Sequence, residues 1–258
     1  MNKYQLNRSG LKLEKFSPDP LFNEKIKVSQ PENGYRFSMD SFILAGHIQP
    51  RGIEKIVDIG CGCAIMPLIL AFKWPALKIT GVEIQKELSW FARQNTFANS
   101  LENTIHILHE NINNITLSDI NGKADIIISN PPYIKKNCGR LNPDSQKTIA
   151  RHEITLDIDM LFNCSDRLLS EKGRLYIIFP AERLSDLLHA MEAYKFCPEF
   201  FRHIYTNKNC PAKRIVLCAI KNSAVKNSGK SSIVRPPLFI YTSENKFSDE
   251  YSSLFNQV

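Results

Sequence analysis

Short apolar segments alternate with longer amphipathic segments from residue 55 onward. The short segments predict strands at 55–59, 77–83, 104–108, 124–129, 174–179, 199–205 and 214–220. The longer segments have helical spacing and predict helices at 64–74, 85–100, 158–169 and 183–194. Strand–helix alternation implies right-handed crossovers. We therefore expect a mainly parallel sheet that binds its ligand at the carboxyl ends of the strands.

The N-terminal part of the chain has a different pattern. Residues 1–35 are polar and contain several prolines, which predicts irregular or short-stranded structure. An apolar stretch begins after Ser38 and stops before Pro50, which predicts a helix between them. We therefore expect an N-terminal extension at 1–50 and an α/β domain at 51–258.

The composition excludes several classes of protein. Apolar residues make up 43% of the chain and charged residues 23%, which is ordinary for a globular protein and excludes a disordered one. The longest apolar run, 64–72, is far shorter than the ~20 residues of a transmembrane helix. No signal-peptide stretch follows Met1, and the seven cysteines form no CxxC pair. We therefore expect a cytoplasmic protein without a membrane span, disulfide framework or metal site.

Positive charge is concentrated in two stretches of a chain whose net charge is +7. Residues 135–151 contain five Lys or Arg and one acid, and residues 195–235 contain nine and one. Such concentration predicts a polyanionic partner. A plain solvated surface is the alternative.

A glycine-rich segment, Asp58-Ile-Gly-Cys-Gly-Cys-Ala, follows the first strand of the domain. Gly60 and Gly62 allow the backbone to turn sharply and to approach a ligand closely. Ile65 stands where the dinucleotide-binding fingerprint has its third glycine, which disfavours a nicotinamide or flavin site. A tight turn without a ligand is the alternative.

An acidic residue ends the second strand of the domain. Glu83 lies 25 positions after Asp58, close to the ~20-residue offset at which an acid binds a ribose diol. A carboxylate suits two hydroxyl donors because it offers several acceptor sites. The alternative is an exposed acid that caps the following helix.

The most informative segment is Ser129-Asn-Pro-Pro-Tyr, directly after the fourth strand. Pro131 and Pro132 have no N–H, so this loop presents carbonyls without competing donors, and the Asn130 side chain adds another. Two acceptors can hold both hydrogens of a planar amine and stabilise the positive charge that develops when its nitrogen attacks. Tyr133 offers a stacking face for a base. A Pro-Pro turn that merely ends a strand is the alternative.

These three segments, each after a strand and in this order, resemble the S-adenosylmethionine (SAM) methyltransferases that modify exocyclic or amide nitrogens. Further segments are similar to one family among them, the valine-tRNA (adenine-37-N6)-methyltransferases. They are Asn33-Gly-Tyr-Arg-Phe-Ser-Met-Asp-Ser-Phe-Ile-Leu-Ala, Arg151-His-Glu, Lys213-Arg214-Ile-Val-Leu, Pro237-Leu-Phe-Ile-Tyr-Thr and Asp249-Glu-Tyr. The resemblance covers roughly residues 10–255.

The resemblance implies an α/β, Rossmann-like SAM-dependent methyltransferase fold. Its sheet has seven mostly parallel strands flanked by helices, and a short N-terminal extension precedes it. The donor implied is SAM, and the product is N6-methyladenine beside the anticodon of a valine tRNA. No metal is implied. The sequence leaves the oligomeric state open, although we favour a monomer.

The same resemblance assigns roles to individual residues. Those of the cofactor site are Asp58, Gly60 and Gly62 for the methionine part of SAM, Glu83 for the ribose, and Phe37 and Asp40 as a cover from the N-terminal helix. Those of the base site are Asn130, Pro131, Pro132 and Tyr133, with Asn130 also beside the cofactor. The positive charge of the stretch 135–151 leads separately to the expectation that Lys135, Lys136, Arg140 and Arg151 meet tRNA phosphates.

The chain departs from the family pattern in two places. Cys61 and Cys63 stand where many members have a small hydroxyl residue, and a thiol is small enough to fit. Asn111 stands where an acid usually binds the SAM adenine amine. An Asn carbonyl can accept the same hydrogen bond without charge assistance, and Glu110 is an alternative acceptor.

Two other functions stay open from the sequence. A protein glutamine N5-methyltransferase acting on a translation factor has the same Asn-Pro-Pro-Tyr loop, and a glutamine amide is chemically similar to an exocyclic amine. A non-catalytic RNA-binding protein could have the same fold, although the intact loop disfavours it. The basic stretches favour RNA as the substrate of an active enzyme.

Overall fold

The computed structural model describes residues 17–18, 25–31, 38–132, 156–221, 233–243 and 246–254. The strands are β1 (Ser17–Pro18), β2 (Lys27–Val28), β3 (Lys55–Ile59), β4 (Lys78–Glu83), β5 (Ile105–His109), β6 (Ala124–Ser129), β7 (Leu169–Pro180), β8 (Phe196–Tyr205), β9 (Ala212–Lys221), β10 (Ile233–Val234) and β11 (Leu238–Phe239). The helices are α1 (Met39–His47), α2 (Ile65–Lys73), α3 (Lys86–Ala98), α4 (Ile158–Leu168), α5 (Leu184–Ala193) and α6 (Asp249–Ser253), with 3₁₀ turns at Ile112–Asn114 and Ala181–Arg183.

All the predicted strands and helices are present, and two strand starts differ from the prediction by more than two residues. β7 begins at Leu169 instead of Arg174, because Leu169 already pairs with Ala124 before a register shift. β8 begins at Phe196 instead of Glu199, although Pro198 cannot donate to a ladder. A register shift between Pro198 and Phe200 accommodates that proline.

The main sheet has the strand order β10-β8-β9-β7-β6-β3-β4-β5, and β11 also pairs with β8. The segment from β5 to β7 is parallel, whereas β9 is antiparallel to both of its neighbours, β7 and β8. The seven predicted strands form this sheet, and the two-residue strands β10 and β11 extend its edge. Strand order reverses at β3 and β6, so the region outside the carboxyl ends of these two neighbours, here named the crevice, is where a ligand is expected to bind.

Two hydrophobic cores cover the two faces of the sheet. One contains apolar side chains of α1, α2 and α3 together with Ile26 and Val28 of the N-terminal part. The other contains side chains of α4 and α5 and of the 3₁₀ turn at Ile112–Asn114. None of the helices in the described ranges is long and apolar enough to cross a membrane.

A buried polar network connects the last residue of α1 to β8 and α6. His47 Nδ1 lies 2.7 Å from the Ile43 carbonyl, and Nε2 lies 3.2 Å from an Arg202 guanidinium nitrogen. Burial lowers the pKa of His47 to about 4, so the neutral ring donates through Nδ1 and accepts through Nε2. Arg202 also forms an ion pair with Glu250 of α6. The helix that begins beside the crevice is therefore fixed at its far end.

Candidate active site

The glycine-rich segment forms a tight loop between β3 and α2. Gly60, Gly62 and Ala64 have positive φ angles of 74°, 56° and 65°. The amides of Gly60 and Cys61 both donate to the Val82 carbonyl, at 2.8 and 3.1 Å, which ties the loop to β4. A Cβ at Gly60 would meet no atom within 4 Å, so this position borders open space. The loop has the shape expected of a backbone that approaches a ligand.

A glycine inside β4 makes room for this loop. A Cβ at Gly81 would lie 2.8 Å from Cys61 Sγ, so only glycine fits while Cys61 keeps its place. The sequence interpretation missed Gly81, although an isolated glycine within a strand is a signal of close packing. Cys61 and Cys63 are both buried, and burial raises the pKa of Cys61 well above its usual range and that of Cys63 to about 12. The two thiols therefore stay protonated and fill space in the loop.

Glu83 holds the loop from the end of β4. Its carboxylate accepts hydrogen bonds from the amides of Gly62, at 2.9 Å, and Gln85, at 2.8 Å. Burial raises the pKa of Glu83, and these backbone hydrogen bonds oppose the rise. Glu83 is thus a buried acid at the crevice rather than an exposed cap, and its predicted contact with a ribose stays a prediction.

Asp58 is a buried carboxyl group that lacks donors. The residue is fully buried, and neither carboxylate oxygen has a hydrogen-bond partner among the described residues. Burial, and secondly the charge of Glu83, raise the pKa of Asp58 well above its usual range. An unpaired buried acid is unfavourable, so this group suits a ligand that brings a cation or N–H donors. The α-ammonium group of SAM is such a ligand.

The Asn-Pro-Pro loop continues from β6 beside the glycine loop. The Ser129 hydroxyl donates to the Ile59 carbonyl at 2.8 Å, which joins the ends of β6 and β3. Asn130 is 9% exposed, and its Nδ2 donates to the hydroxyl of Ser41 on α1 at 3.0 Å. This bond orients the amide so that its carbonyl oxygen is on the side away from Ser41. Sequence interpretation missed Ser41, because no local pattern links positions so far apart.

Two further predicted residues, Asp40 and Asn111, and the alternative Glu110 also lie in or directly after elements beside the crevice. Asp40, at the start of α1, forms an ion pair with Arg214 of β9 at 2.8 Å. Asn111 follows β5, and its side-chain oxygen accepts from the Asn113 amide at 3.0 Å. The Glu110 carboxylate accepts from the Asn111 amide at 2.7 Å. Neither contact tests which of these residues binds an adenine, so that role stays a prediction.

The structure therefore brings the core of the predicted site together. The carboxyl ends of the adjacent strands β4, β3 and β6 carry Glu83, the loop that begins at Asp58, and Asn130. Of the other predicted site residues, Pro131 is buried and Pro132 is exposed. Six predicted residues lie outside the described ranges: Phe37, Tyr133, Lys135, Lys136, Arg140 and Arg151.

Comparisons with known proteins identify the family of this chain. Residues 36–193 match the methyltransferase small domain family. A tRNA1(Val) (adenine(37)-N6)-methyltransferase of Porphyromonas gingivalis is 31% identical over 206 residues, which cover 77% of this chain and 80% of that protein. The chain belongs to the tRNA1(Val) (adenine(37)-N6)-methyltransferase family. Another member of this family, from Phocaeicola vulgatus, is 29% identical over 238 residues, 92% of this chain and 96% of its own length.

Solved structures confirm the fold expected for a member of this family. A predicted O-methyltransferase of Agrobacterium tumefaciens has a TM-score of 0.66 at 18% identity, covering 85% of this chain and 96% of its own. A methyltransferase of Pyrococcus furiosus has a TM-score of 0.55 at 18% identity, covering 76% and 89%. The predicted Rossmann-like fold of a SAM-dependent methyltransferase is thus confirmed, as is the predicted family.

Proposed function

We propose that this chain transfers a methyl group from SAM to the exocyclic N6 of an adenine in tRNA, adenine-37 of a valine tRNA. The observation that carries the proposal is the position of Asn130, buried beside the glycine loop and oriented by Ser41. Its relatives named tRNA1(Val) (adenine(37)-N6)-methyltransferases support the choice of substrate. Both relatives are named for an adenine of tRNA and not for a glutamine of a protein.

The residues at the crevice fit SAM. Asp58 offers a buried carboxylate for the α-ammonium group, and Gly60 borders open space where a ligand can approach the backbone. Glu83 offers its remaining lone pairs to ribose hydroxyls, since each carboxylate oxygen can accept more than one hydrogen bond. When bound, SAM supplies a methyl group that its positive sulfur has already activated.

The Asn130 loop acts on the amine that receives the methyl group. The lone pair of an adenine amine is delocalised into the ring, so the amine is a weak nucleophile. Carbonyl acceptors from the loop hold both amine hydrogens and stabilise the positive charge that grows on nitrogen. Pro131 and Pro132 keep competing N–H donors out of this loop. Catalysis then consists mainly of positioning, and the amine proton can leave to solvent after transfer.

The hydrogen bond between Ser41 and Asn130 leads to a prediction about turnover. We expect Ser41→Ala to lower kcat by about tenfold, because the amide of Asn130 loses a hydrogen bond that orients it. The double variant Ser41→Ala/Asn130→Ala should have the same kcat as Asn130→Ala alone, because Ser41 acts on turnover only through the side chain of Asn130. Steady-state methyl transfer measures both. Ser89→Ala, a buried serine that bonds the Lys86 carbonyl of its own helix, is the control. Additive losses in the double variant contradict the role of Ser41.

Basic residues near the crevice support an RNA substrate. The turn between β8 and β9 lies at the same edge of the sheet as the crevice, because β9 begins opposite the end of β7. Lys208 and Lys213 are exposed there. The stretch 135–151 follows the Asn-Pro-Pro loop directly in the sequence. Together these residues provide cations for phosphates around a base that is turned out of its stack.

Neutralising Lys135, Lys136 and Arg140 to Gln should raise the KM for tRNA and leave the Kd for SAM unchanged. The slope of log affinity against log salt should become shallower by about 0.7–0.9 for each phosphate that the variant no longer binds. Filter binding at several salt concentrations and steady-state kinetics measure these effects.

The matched control removes three charges from the opposite edge of the sheet. Lys78, Lys123 and Lys172 are exposed there, at or near the amino ends of β4, β6 and β7. Their combined change to Gln should leave the KM and the salt slope for tRNA as they are. Equal effects of the two triple variants indicate that only net charge matters, which contradicts a phosphate-binding role for residues 135–140.

Labelled SAM tests the proposed function against its alternatives. The protein is incubated with tRNA that lacks N6-methyladenine and, separately, with a purified translation termination factor. Label recovered in N6-methyladenosine supports the proposal. Label in the protein factor alone supports glutamine methylation, and salt-sensitive tRNA binding without any transfer supports a non-catalytic RNA-binding protein.

A further inference from the structure

Asn95 of α3 joins three separate segments of the chain. The residue is fully buried, and its Oδ1 accepts a hydrogen bond from the Ser29 amide at 2.7 Å. Its Nδ2 donates to the Ser29 carbonyl at 2.8 Å and to the Cys63 carbonyl at 2.9 Å. Both amide hydrogens are thus used, one on the N-terminal part and one on the glycine loop.

Asn99, one helical turn later, makes the same pair of bonds to the N-terminal part. Its Oδ1 accepts from the Lys27 amide at 2.9 Å, and its Nδ2 donates to the Lys27 carbonyl at 2.7 Å. Four residues of helix rise about 6 Å, and two residues of extended chain about 6.6 Å, so the two asparagines match Lys27 and Ser29, two residues apart in and just after β2. The other bond of Asn99 Nδ2 goes to the Asn95 carbonyl of its own helix, at 2.7 Å, and not to the glycine loop.

The Cys63 carbonyl lies in the glycine loop between two residues with constrained backbones, Gly62 and Ala64. Glu83 holds the amide of Gly62 just before it, and Ala64 just after it has a positive φ of 65°. A left-handed alanine persists only where its surroundings hold it. Asn95 therefore fixes the loop from the side of α3, while Glu83 fixes it from the side of β4.

We propose that Asn95 is a positioning residue for the glycine loop and couples docking of residues 25–31 to SAM binding. The inference rests on the proposed function in one respect, that this loop holds SAM. Docking of the segment orients the Asn95 amide, and the oriented amide holds Cys63 in the geometry that receives the cofactor. Because linkage is reciprocal, a bound cofactor must in turn stabilise the docked segment.

Asn95→Ala and Asn99→Ala form a matched pair of variants. Each removes two hydrogen bonds to the N-terminal segment, but only Asn95→Ala also releases the glycine loop. We expect Asn95→Ala to raise the Kd for S-adenosylhomocysteine about tenfold, measured by calorimetry, and Asn99→Ala to raise it less than about threefold. At saturating SAM, kcat of Asn95→Ala should fall less than about threefold, because the Asn130 loop is intact. Equal Kd changes in the two variants contradict the proposal that the hydrogen bond from Asn95 to the Cys63 carbonyl positions the glycine loop.

Amide hydrogen exchange in the wild-type chain tests the coupling without any variant. Saturating S-adenosylhomocysteine should slow exchange of the Lys27 and Ser29 amides, both of which donate to the asparagines. Unchanged exchange of both amides overturns the coupling. If the wild-type chain binds no S-adenosylhomocysteine, the proposed function fails together with this inference. If it binds the ligand and the matched variants behave alike, only the inference fails.

Discussion

Asn130→Ala is expected to lower kcat for methyl transfer by at least ~100-fold while the Kd for SAM changes less than about threefold. The scale is that of losing one preorganised group that stabilises developing charge. Asn130 lies at the end of β6, and its amide is oriented by Ser41, so its loss removes an acceptor for the amine without disturbing Asp58 or Glu83. Steady-state kinetics and calorimetry with S-adenosylhomocysteine separate the two quantities.

The matched control for this prediction is Asn103→Ala. Asn103 is exposed just before β5, at the edge of the sheet opposite the crevice. We expect removal of its side chain to leave kcat unchanged. A loss of SAM binding in Asn130→Ala that equals its loss of turnover contradicts the assignment, because the residue then acts on the cofactor and not on the amine.

Asp58→Asn is expected to raise the Kd for SAM about 10- to 100-fold. The change removes the negative charge that pairs with the α-ammonium group, and hydrogen bonds to charged groups contribute about 1.5–3 kcal/mol. Asp58 has no hydrogen-bond partner among the described residues, so the variant breaks none of their hydrogen bonds. We therefore expect the free variant to melt at the same temperature as the wild type or higher. A lower melting temperature contradicts a ligand-binding role and indicates a structural one.

The raised pKa of Asp58 adds a pH dependence with a definite sign. In the free protein the folded state holds this proton more tightly than the unfolded state, because burial and Glu83 raise the pKa. The stability contributed by this residue therefore falls as the pH rises from its ordinary pKa towards its folded pKa. SAM affinity should rise over the same range, because the ammonium group favours the ionised carboxyl. Calorimetry at several pH values should show that the affinity for SAM rises with pH in the wild type. The affinity of Asp58→Asn should not change in this way, because asparagine does not ionise.

The sequence predicted those parts of the site that depend on strand ends. Asp58, Glu83 and Asn130 each follow or end a strand, and the parallel order places those ends at one edge of the sheet. The roles of Ser41 and Asn95 could not be predicted, because no local pattern encodes contacts between distant positions. Ser41 is 89 positions from its partner Asn130. Asn95 is 66 positions from Ser29 and 32 positions from Cys63. These contacts exist only in the folded chain, where α1 packs against the Asn-Pro-Pro loop and α3 against the glycine loop.

The limits of the fold prediction have a similar physical origin. Isolated apolar runs predicted the strands, but the start of β7 depends on pairing of Leu169 with Ala124 across a register shift. The two short strands at the sheet edge consist of residues that pair with β8 only in the folded chain. Each is only two residues long, which is too short for an apolar run to indicate a strand in the sequence.

Position-specific methyl transfer tests the central claim most directly. Two unmodified valine tRNA transcripts are incubated with the protein and labelled SAM, one with adenine at position 37 and one with guanine there. We predict label in N6-methyladenosine from the first transcript and background counts from the second. Equal labelling of both transcripts contradicts the assigned position, and no labelling of either by a protein that binds SAM contradicts tRNA adenine methylation itself.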